Sequence, residues 1–544
     1  MLIKKRRFLL TILLMLVAIV IIGCSKDNDG NDNNNHSEEA AENFNEEGLP
    51  IVDETVTLKV AGGTRPTAGA NWDDMEAIKK LEDDTNVHLD LSLTPTSDWG
   101  EKRSILLGTD DLPDVLLAPS KNEAVEYGDQ GALIPLNDLI DEYAPNIKKM
   151  LEESPFLRKV TTAPDGNIYA LPRANMAPWE ATNGNLMWIN KKWLDELGLD
   201  VPETLEEFKE ALIAFRDEDP SGTGNVIPFS AQDPSTNSGF QKPIFTSFGT
   251  ENQSNNVIIR GKDEDGEGGE AEFVPLTEEY KEGVRFLREL WEEDLMDPET
   301  FSHDASSHRA VLALDPPIVG SFVGTHPDSQ VQNPDTKWDY VLLSPLEGPD
   351  GHGHFAQNNP FQQPAVAITK ENEYPEMTMR WLDHLYSEEM SLNIRFGPNA
   401  WEYDGDDIVL IAPEEGYTEA EWQYKESPSN DFVYYISEEM AERIQYADVE
   451  NAHWLYKRPE FIETTEGQVV DMKLPAMMYT FEELDVLAEV ETTAGDYVES
   501  NFAKWVTEGG MDEEWDKYVE DLNKMGVEKL MDVFQEAYER FNES

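Results

Sequence analysis

Apolar and polar residues alternate along the first part of the chain in short segments separated by helical periodicity. Residues 55–60 and 87–93 alternate as half-buried strands do, and the spacing of apolar residues between them predicts a helix over residues 73–81. Residues 101–107 predict a second helix, and residues 113–117 predict a short buried strand. Strand, helix, strand, helix and strand in this order predict an α/β fold with a largely parallel sheet.

Later segments of the chain carry stronger helix signals. Thr204 is a favourable N-cap, and Glu207 three residues later completes a capping box for the helix that follows. Residues 277–296 carry apolar residues along one stripe of an amphipathic helix. Residues 512–541 repeat this pattern, and Gly526 divides them into two helices. We interpret these stripes as core-facing surfaces rather than ligand sites.

The amino terminus combines basic residues, an apolar run and the only cysteine of the chain. The basic residues occupy positions 4–7, and the apolar run over residues 8–22 is shorter than the ~20 residues that a membrane-spanning helix needs. This combination is typical of a secretory signal peptide. Residues 21–24, Ile-Ile-Gly-Cys, resemble a bacterial lipobox, so residues 1–23 are predicted to be a lipoprotein signal peptide and Cys24 the site of lipid attachment. The alternative is an uncleaved anchor with an incidental cysteine.

Composition separates a polar tether from a globular remainder. Residues 24–52 are rich in Asp, Asn, Glu and Ser and predict a disordered tether, which would hold the protein at the extracellular face of the cell membrane. The hydrophobic fraction of 39% is enough for a sizeable core. The 110 acidic and 42 basic residues give a formal charge of −68, which argues against nucleic acid as a partner. A single cysteine excludes an intrachain disulfide framework.

Five segments of the sequence, taken in order, resemble a known family. They read TDDLPDVLLA from residue 109, YALPR from residue 169, LMWINKKWLDELGLDVPETLEEFKEALIAFRDEDPSGTG from residue 186, AVAITKENEYPEMTMRWLDHLYSEEM from residue 365 and EEWDKYVEDLNKMGVEKLMDVFQEAYERF from residue 513. Through these segments the chain is similar to extracellular solute-binding proteins of family 1, in particular to the large lipoprotein branch that serves oligosaccharide ABC importers in Gram-positive bacteria. The resemblance extends over residues 55–541.

The resemblance implies a two-lobed, periplasmic-binding-protein-like α/β fold of type II, with the ligand in a cleft between lobes that are discontinuous in sequence. It assigns residues 53–172 and 347–405 to the N-terminal lobe and residues 173–346 and 406–544 to the C-terminal lobe. The strands that cross between the lobes are expected near residues 169–174, 341–345 and 401–407. The implied function is capture of an oligosaccharide and its delivery to ABC permease subunits by a monomer that carries out no catalysis.

The implied ligand directs attention to loops that combine aromatic and polar residues. Sugar rings have apolar faces, on which aromatic side chains stack, and hydroxyl edges, to which polar side chains hydrogen-bond. The candidate ligand-binding residues are Arg65, Asn71, Trp72, Trp99, Arg173, Trp179, Asn183, Gln362, Trp401 and Tyr403. The alternative for each tryptophan is packing against its own lobe. An acidic sugar would need a pair of arginines, for which Arg65 and Arg173 are the candidates.

Related proteins often carry a calcium-binding loop at the position of residues 219–228. This chain keeps Asp219, Ser221, Thr223 and Asn225 at alternate positions, but its loop is shorter and lacks the closing carboxylates. Calcium is bound by six to eight oxygen atoms, several of them charged. The loop is therefore predicted to be a polar turn with a weak or lost calcium site, and no cofactor is expected.

Three other functions are compatible with the sequence. One is a surface enzyme that degrades a polysaccharide, although the chain contains neither a Gly-x-Ser-x-Gly elbow nor a His-Glu-x-x-His motif. The histidine clusters at His303 and His308 and at His352 and His354 are interpreted as solvated loop residues rather than metal ligands. The same fold could also bind a peptide, or act as a sensor that presents its ligand to a membrane kinase.

Overall fold

The computed structural model describes residues 43–65, 71–109, 111–177, 180, 185–232, 239–251, 255–262, 268–331, 333–357, 361–414, 417, 419–446, 461–465 and 467–543. The predicted lipidation site Cys24 and the candidates Trp179 and Asn183 lie outside these residues, and Gln362 is described through its backbone. Within the described part of the chain, no helix has the length and apolar character needed to span a bilayer.

The strands of the described residues form two main sheets and smaller sheets of two or three strands. In chain order they are β1 (Val56–Thr64), β2 (Val87–Pro95), β3 (Val115–Leu117), β4 (Leu171–Asn175), β5 (Leu186–Asn190), β6 (Ile227–Ser230), β7 (Val257–Arg260), β8 (Glu270–Phe273), β9 (Val319–Gly324), β10 (Tyr340–Leu342), β11 (Phe355–Ala356), β12 (Phe361–Ile368), β13 (Trp401–Asp404), β14 (Asp407–Leu410), β15 (Tyr435–Ile436), β16 (Ile444–Tyr446) and β17 (Val469–Val470).

Helices flank the two main sheets and cover their faces. In chain order they are α1 (Glu76–Thr85), α2 (Thr96–Thr109), α3 (Lys121–Asp129), α4 (Asn137–Tyr143), α5 (Pro145–Glu153), α6 (Pro155–Thr161), α7 (Lys191–Leu197), α8 (Leu205–Glu218), α9 (Lys242–Phe245), α10 (Glu278–Glu292), α11 (Ala305–Leu312), α12 (Pro327–Gln330), α13 (Pro375–Leu385), α14 (Glu388–Phe396), α15 (Glu419–Glu426), α16 (Glu438–Arg443), α17 (Phe481–Thr507), α18 (Met511–Met525) and α19 (Val527–Glu543).

The first sheet has the strand order β15-β4-β12-β3-β1-β2. Strand β1 runs parallel to β2 and β3, β15 runs parallel to β4, and β12 is antiparallel to both β3 and β4. Leu58 and Val60 of β1 are buried in the core while the alternate residues Thr57 and Lys59 are exposed, which confirms the alternation read from the sequence. Because β1, β3, β4 and β15 all run in one direction, their carboxyl ends lie along the same edge of the sheet.

The second sheet has the strand order β10-β5-β9-β6. Strand β5 is antiparallel to β9 and β10, and β6 is parallel to β9. Leu186, which begins β5, pairs with Gly324, which ends β9, so the start of β5 and the ends of β9 and β6 share an edge. Residues 176–185 connect this edge directly to the carboxyl end of β4 at Asn175 in the first sheet.

The second sheet packs with helices α8, α10 and α17–α19 around a core rich in phenylalanine. Phe208 meets Phe229 with ring centroids 5.8 Å apart, and Phe245 meets Phe502 at 6.3 Å, both edge to face. Burial of such a side chain contributes about 1.5–3 kcal/mol. Between α18 and α19, Gly526 has a φ of 100°, a left-handed conformation that glycine adopts without strain, and this confirms the predicted break.

The carboxyl-terminal part of the first sheet differs from the predicted lobe division. The resemblance assigned everything after residue 405 to the second lobe and a crossing to residues 401–407. In the structure β13 and β14 form an antiparallel hairpin, and Tyr435–Ile436 pairs with β4 of the first sheet. The predicted boundary does not match this pairing: β13 and β14 form a separate small sheet with β16, and Ile408, Leu410 and Phe432 pack in the first core. The pairing of β15 with β4 joins segments that are far apart in the sequence, so no local pattern reveals it.

Candidate functional site

Polar and charged side chains gather at the edge of the first sheet where its parallel strands end. Arg65 follows the end of β1, and Arg173 and Asn175 lie in the last residues of β4. Lys121 opens helix α3 shortly after the end of β3. In open α/β sheets, ligands bind in the crevice outside the carboxyl ends of the strands. This edge is therefore the candidate site, and residues 176–185 connect it to the edge of the second sheet.

Arg65 is anchored by Asp431, which lies in the turn before β15. The Arg65 Nε donates to Asp431 Oδ1 at 2.8 Å, and the Arg65 backbone N–H donates to Asp431 Oδ2 at 3.0 Å. The Arg65 side chain is 46% exposed, whereas that of Asp431 is 12% exposed. The ion pair therefore fixes the orientation of the guanidinium, and the side chain as a whole remains partly accessible to solvent.

Arg173 lies beside an aromatic ring rather than a carboxylate. Its guanidinium carbon is 5.8 Å from the centroid of the Tyr434 ring, in a cation–π arrangement. Burial lowers the pKa of Arg173, and the charges of Arg65 and Arg395 act in the same direction. Among the described residues, no carboxylate lies within ion-pair distance of the Arg173 guanidinium.

Arg395 of helix α14 completes what we call the arginine group, which consists of Arg65, Arg173 and Arg395. It is buried, its Nη1 donates to Ser429 Oγ at 3.4 Å, and its Nη2 lies 3.8 Å from Glu180 Oε1. The Arg395 Nε is buried without a hydrogen-bond partner. The group thus collects three positive charges at the end of β4 within a strongly acidic protein.

Two of the predicted ligand-binding tryptophans are core residues. Trp72 is 1% exposed, its Nε1 donates to Thr64 Oγ1 at 3.2 Å, and its ring meets Phe432 edge to face at 5.4 Å. Trp99 is 4% exposed, and its Nε1 donates to the carbonyl oxygen of Leu117 at 3.2 Å. Both indoles are covered by their own lobe, so the structure does not support their assignment as ligand contacts.

Trp401 and Tyr403 belong to the β13–β14 hairpin and interact with each other. Their rings meet edge to face at 5.0 Å, and Trp401 Nε1 donates to Asn393 Oδ1 at 3.1 Å. The Tyr403 hydroxyl donates to Glu388 Oε1 at 2.9 Å, and burial together with this carboxylate raises the pKa of Tyr403 to about 12. These interactions hold both side chains against helix α14, which also carries Arg395 of the arginine group.

The remaining described candidates have different surroundings. Gln362 pairs with Arg173 in the register of β12 and β4, so its backbone lies directly beside the arginine group. Asn71 is exposed, and its Nδ2 donates to Asp73 Oδ2 at 3.3 Å near the start of a short 3₁₀ turn. The structure therefore brings together Arg65, Arg173 and the Gln362 backbone.

Three residues of this site were not predicted from the sequence: Asp431, Tyr434 and Arg395. The stretch Ser-Pro-Ser-Asn-Asp at residues 427–431 is a turn signal, and Phe-Val-Tyr-Tyr-Ile at residues 432–436 is a strand signal. These signals could have predicted a loop that enters a strand, but not the strand with which it pairs. Arg395 lies inside a helix, where the sequence gives no sign that its charge is buried.

A second cationic set, which we call the lysine group, consists of Lys121, Lys242 and Lys473, all half-buried. Burial lowers the pKa of Lys121 to about 8; Glu491 of helix α17 opposes this effect and Lys473 adds to it. Burial likewise lowers the pKa of Lys473 to about 8 and lowers that of Lys242, against the influence of Glu251. Lys121 lies at the edge of the first sheet, whereas Glu491 lies on helix α17, whose Val490 packs in the second core, so this group lies between the first sheet and the second core.

The histidines that the sequence assigned to solvated loops are buried, with the exception of the exposed His352. His303 Nε2 lies 3.0 Å from Asp297 Oδ2, which also accepts a hydrogen bond from Ser230 Oγ at 2.8 Å. Because this carboxylate engages both groups, the imidazole is not arranged to take the serine proton as in a catalytic triad. His308 is fully buried, and neither of its ring nitrogens has a hydrogen-bond partner.

Within the loop at residues 219–225, the Asp219 carboxylate accepts hydrogen bonds from other residues of the same loop. Asp219 Oδ1 accepts from Ser221 Oγ at 2.6 Å, and Asp219 Oδ2 accepts from the backbone N–H of Gly224 at 2.8 Å. These hydrogen bonds lower the pKa of Asp219. One carboxylate, two hydroxyls and one amide do not fit the oxygen-rich shell of calcium. Over the described residues, no group of three or more His, Cys, Asp and Glu side chains could hold a metal ion.

Comparison with known proteins finds relatives over most of the chain. A family model described as bacterial extracellular solute-binding protein matches residues 69–297. The fructooligosaccharide ABC transporter substrate-binding protein FusA of Streptococcus pneumoniae is 30% identical, covering 92% of this chain and 94% of FusA. The polygalacturonan/rhamnogalacturonan-binding protein YtcQ of Bacillus subtilis is 22% identical, covering 85% of this chain and 88% of YtcQ. The solved structure of FusA in complex with kestose superposes with a TM-score of 0.75 at 28% identity, covering 89% of this chain and 99% of that chain.

Proposed function

The chain belongs to the bacterial extracellular solute-binding protein family, and we propose that it captures an oligosaccharide between the edges of its two main sheets and delivers it to the permease of an ABC transporter. Solute-binding proteins of ABC transporters are non-catalytic, which confirms the prediction that the chain is not an enzyme. One observation carries the proposal: Arg65, just after β1, and Arg173, near the end of β4, lie at the edge of the first sheet from which the chain continues to β5 of the second sheet.

The ligand contacts follow from the chemistry of this edge. The guanidinium groups of Arg65, whose side chain is partly exposed, and of Arg173 can donate hydrogen bonds to sugar oxygens. Trp179 and Asn183 lie within the connecting segment, and we propose that they supply an aromatic face and a polar group to the same sugar. Gln362 beside Arg173 is proposed as a further polar contact. Together these residues offer the apolar face and polar edge that a saccharide needs.

Capture requires the two lobes to move relative to each other. A saccharide that binds the arginine group of the first lobe gains additional contacts when the second lobe closes over it. Closure is then a population shift, and its extent is set by the difference in ligand affinity between the open and closed forms. The closed form presents a surface that the permease recognises, and the ligand is released unchanged.

The protein is an extracellular, surface-anchored component of its transporter, and we propose that the anchor is lipid on Cys24. Several acyl chains hold a protein firmly, since each buried CH₂ contributes about 0.8 kcal/mol. We propose that residues 25–42 act as a leash that lets a monomer open and close beside the permease subunits. The predicted tether extended to residue 52, but Ile51 and Val52 are buried in the first core and Phe44 pairs with Val52, so the tether is shorter than predicted. Cys24→Ser is expected to release the protein from the membrane without altering its affinity for ligand, as measured by cell fractionation and calorimetry.

Titration calorimetry against a panel of neutral and acidic oligosaccharides tests the proposed function. Binding of at least one saccharide in the micromolar range or tighter is expected, with a roughly tenfold loss in Arg65→Ala. The matched control is Arg285→Ala, because Arg285 forms its ion pairs with Glu282 and Asp512, away from the sheet edges. Absence of binding to every saccharide, or new reducing ends in the incubated sugar, would contradict the proposal.

A further inference from the structure

The candidate site carries a cluster of positive charges, whereas the protein as a whole is strongly negative. The chain has 110 acidic and 42 basic residues. Nevertheless three arginines converge at the carboxyl end of β4, close enough that Arg65 and Arg395 each disfavour the charge of Arg173. If these three arginines had only a structural role, a protein with so many acidic residues could neutralise each of them with a carboxylate. The excess of positive charge at this one edge therefore calls for a separate explanation.

Two carboxylates near the arginine group, those of Asp431 and Glu180, are already engaged. Asp431 accepts hydrogen bonds from both the Nε and the backbone N–H of Arg65. Glu180 lies 3.8 Å from Arg395 Nη2 and accepts a hydrogen bond from Asn175 Nδ2 at 3.0 Å. Within the described part of the chain, Arg173 is left without an ion-pair partner.

The ring of Tyr434 does not replace a counter-ion for Arg173. A cation–π contact with an aromatic ring is weaker than a charge-assisted pair with a carboxylate, and it leaves the N–H groups at the edge of the guanidinium free to donate. The Asp431 carboxylate favours the charge of the half-buried Arg173 but is hydrogen-bonded to Arg65, so a further anion at Arg173 would offset more of the cost of burying its charge. The Tyr434 ring covers one side of the guanidinium at 5.8 Å, and the planar guanidinium has the geometry to bind a planar anion through its N–H groups.

The lysine group extends the positive character toward the second lobe. Lys121 lies at the same edge of the first sheet, and Lys242 begins the helix that follows β6 of the second sheet. Neither lysine forms an ion pair with any described residue. A ligand that spans the two sheet edges would therefore meet cationic side chains on both lobes.

We propose that the oligosaccharide is acidic, and that a carboxylate of one of its uronic acid residues pairs with Arg173 in the arginine group. This inference rests on the proposed function and specifies its substrate class. A hexuronate carboxylate is planar and projects from the ring edge, so it can accept two parallel N–H groups from one guanidinium. Neutral hydroxyls can accept hydrogen bonds from Arg173 but supply no charge to offset the arginine group.

The experiment compares ligands that differ in charge on one backbone. Oligogalacturonate, the same oligosaccharide with its carboxylates methyl-esterified, and the neutral fructooligosaccharide nystose are titrated into the protein by calorimetry at low and at moderate salt. The acidic form is expected to bind at least tenfold more tightly than its ester, and its affinity is expected to fall as salt rises. Mannuronate and guluronate oligosaccharides with their methyl esters serve as further acidic probes.

Variants then assign the preference to a residue. Arg173→Gln is expected to weaken binding of the acidic ligand at least tenfold. The difference in affinity between the acidic ligand and its methyl ester is expected to become smaller. Arg285→Gln, which removes a positive charge from the distant helix α10, is expected to leave both affinities unchanged. The comparison of acid with ester in the unmodified protein does not depend on the folding of any variant.

The outcomes separate the two proposals. Equal affinity for acid and ester, or binding of nystose alone, would overturn the acidic-ligand inference and leave oligosaccharide capture intact. A preference for the acid that persists in Arg173→Gln would overturn the role of Arg173. Binding of no member of the panel would contradict the proposed function itself.

Discussion

Asp383 of helix α13 caps a distant helix by accepting a hydrogen bond from the backbone N–H of Asn146 at 2.8 Å. The same oxygen accepts from the N–H of Ile147 at 2.9 Å, and the other oxygen accepts from Asn146 Nδ2. Helix α5 begins at Pro145, so this carboxylate satisfies N–H groups that the helix itself leaves unpaired. The contact ties α13 to α5 within the first core.

Removal of this cap is expected to destabilise the protein. Asp383→Ala leaves the buried N–H groups of Asn146 and Ile147 without partners, so the free energy of unfolding should fall by about 2–3 kcal/mol. Chemical denaturation with two spectroscopic probes measures the loss. Glu152→Ala, which removes an exposed acid from α5, is the control and should change stability by less than about 0.5 kcal/mol. An equal loss in both variants would contradict the capping role.

His308 is expected to make stability depend on pH. Burial lowers its pKa to about 4 in the folded protein, against an ordinary value of 6.5. Between these values the unfolded chain binds a proton that the folded protein does not, so stability should fall by about 3 kcal/mol as the pH drops from 6.5 to 4. In His308→Asn, the slope of unfolding free energy against pH should be shallower. The exposed His352→Asn should keep the original slope, and an unchanged slope in His308→Asn would contradict this assignment.

Trp72 is expected to support the fold rather than the ligand. Trp72→Ala should lower the free energy of unfolding by about 3–5 kcal/mol, because it leaves a cavity beside Phe432. Trp72→Phe keeps most of the apolar volume, so it should retain the affinity of the unmodified protein for any oligosaccharide that it binds. Calorimetry and denaturation on the same samples separate the two effects. A large loss of affinity in Trp72→Phe at unchanged stability would restore Trp72 as a ligand contact.

Calcium is expected to leave the thermal stability unchanged. The Asp219 carboxylate is satisfied by Ser221 and Gly224, so millimolar calcium or a chelator should not shift the melting temperature. Asp219→Ala should lower the melting temperature slightly, because these hydrogen bonds are lost. Differential scanning calorimetry with and without calcium makes the measurement. A rise in melting temperature with calcium that Asp219→Ala abolishes would contradict the prediction.

Local elements were predictable from the sequence because their signals are short-range. The alternation in β1 and β2 and the break at Gly526 appear as expected. Thr204 Oγ1 accepts from the N–H of Glu207, and the Glu207 carboxylate accepts from the N–H of Thr204, as the capping box requires. Each of these features is determined by residues within a few positions of one another.

The candidate site was predictable only in part because it is built from distant segments. Arg65 and Arg173 were recognised as a pair, yet Asp431 lies 366 positions from Arg65, and no local pattern links them. The buried indole of Trp99 donates to the carbonyl oxygen of Leu117. This oxygen lies within reach only because β3 pairs with β1. Burial of His303 and His308 likewise depends on tertiary packing, which their loose spacing in the sequence does not reveal.

The position of β12 has a consequence for secretion of the protein. This strand lies between β3 and β4 in the first sheet, yet it follows them by roughly two hundred residues in the chain. If the amino end emerges from the membrane first, β3 and β4 are exported before β12. The edges of β3 and β4 that pair with β12 then remain unpaired until β12 has also been exported. Unpaired strand edges are prone to association with other chains. Export of this protein therefore depends on keeping the early part of the sheet apart from its neighbours until residues 361–368 have crossed.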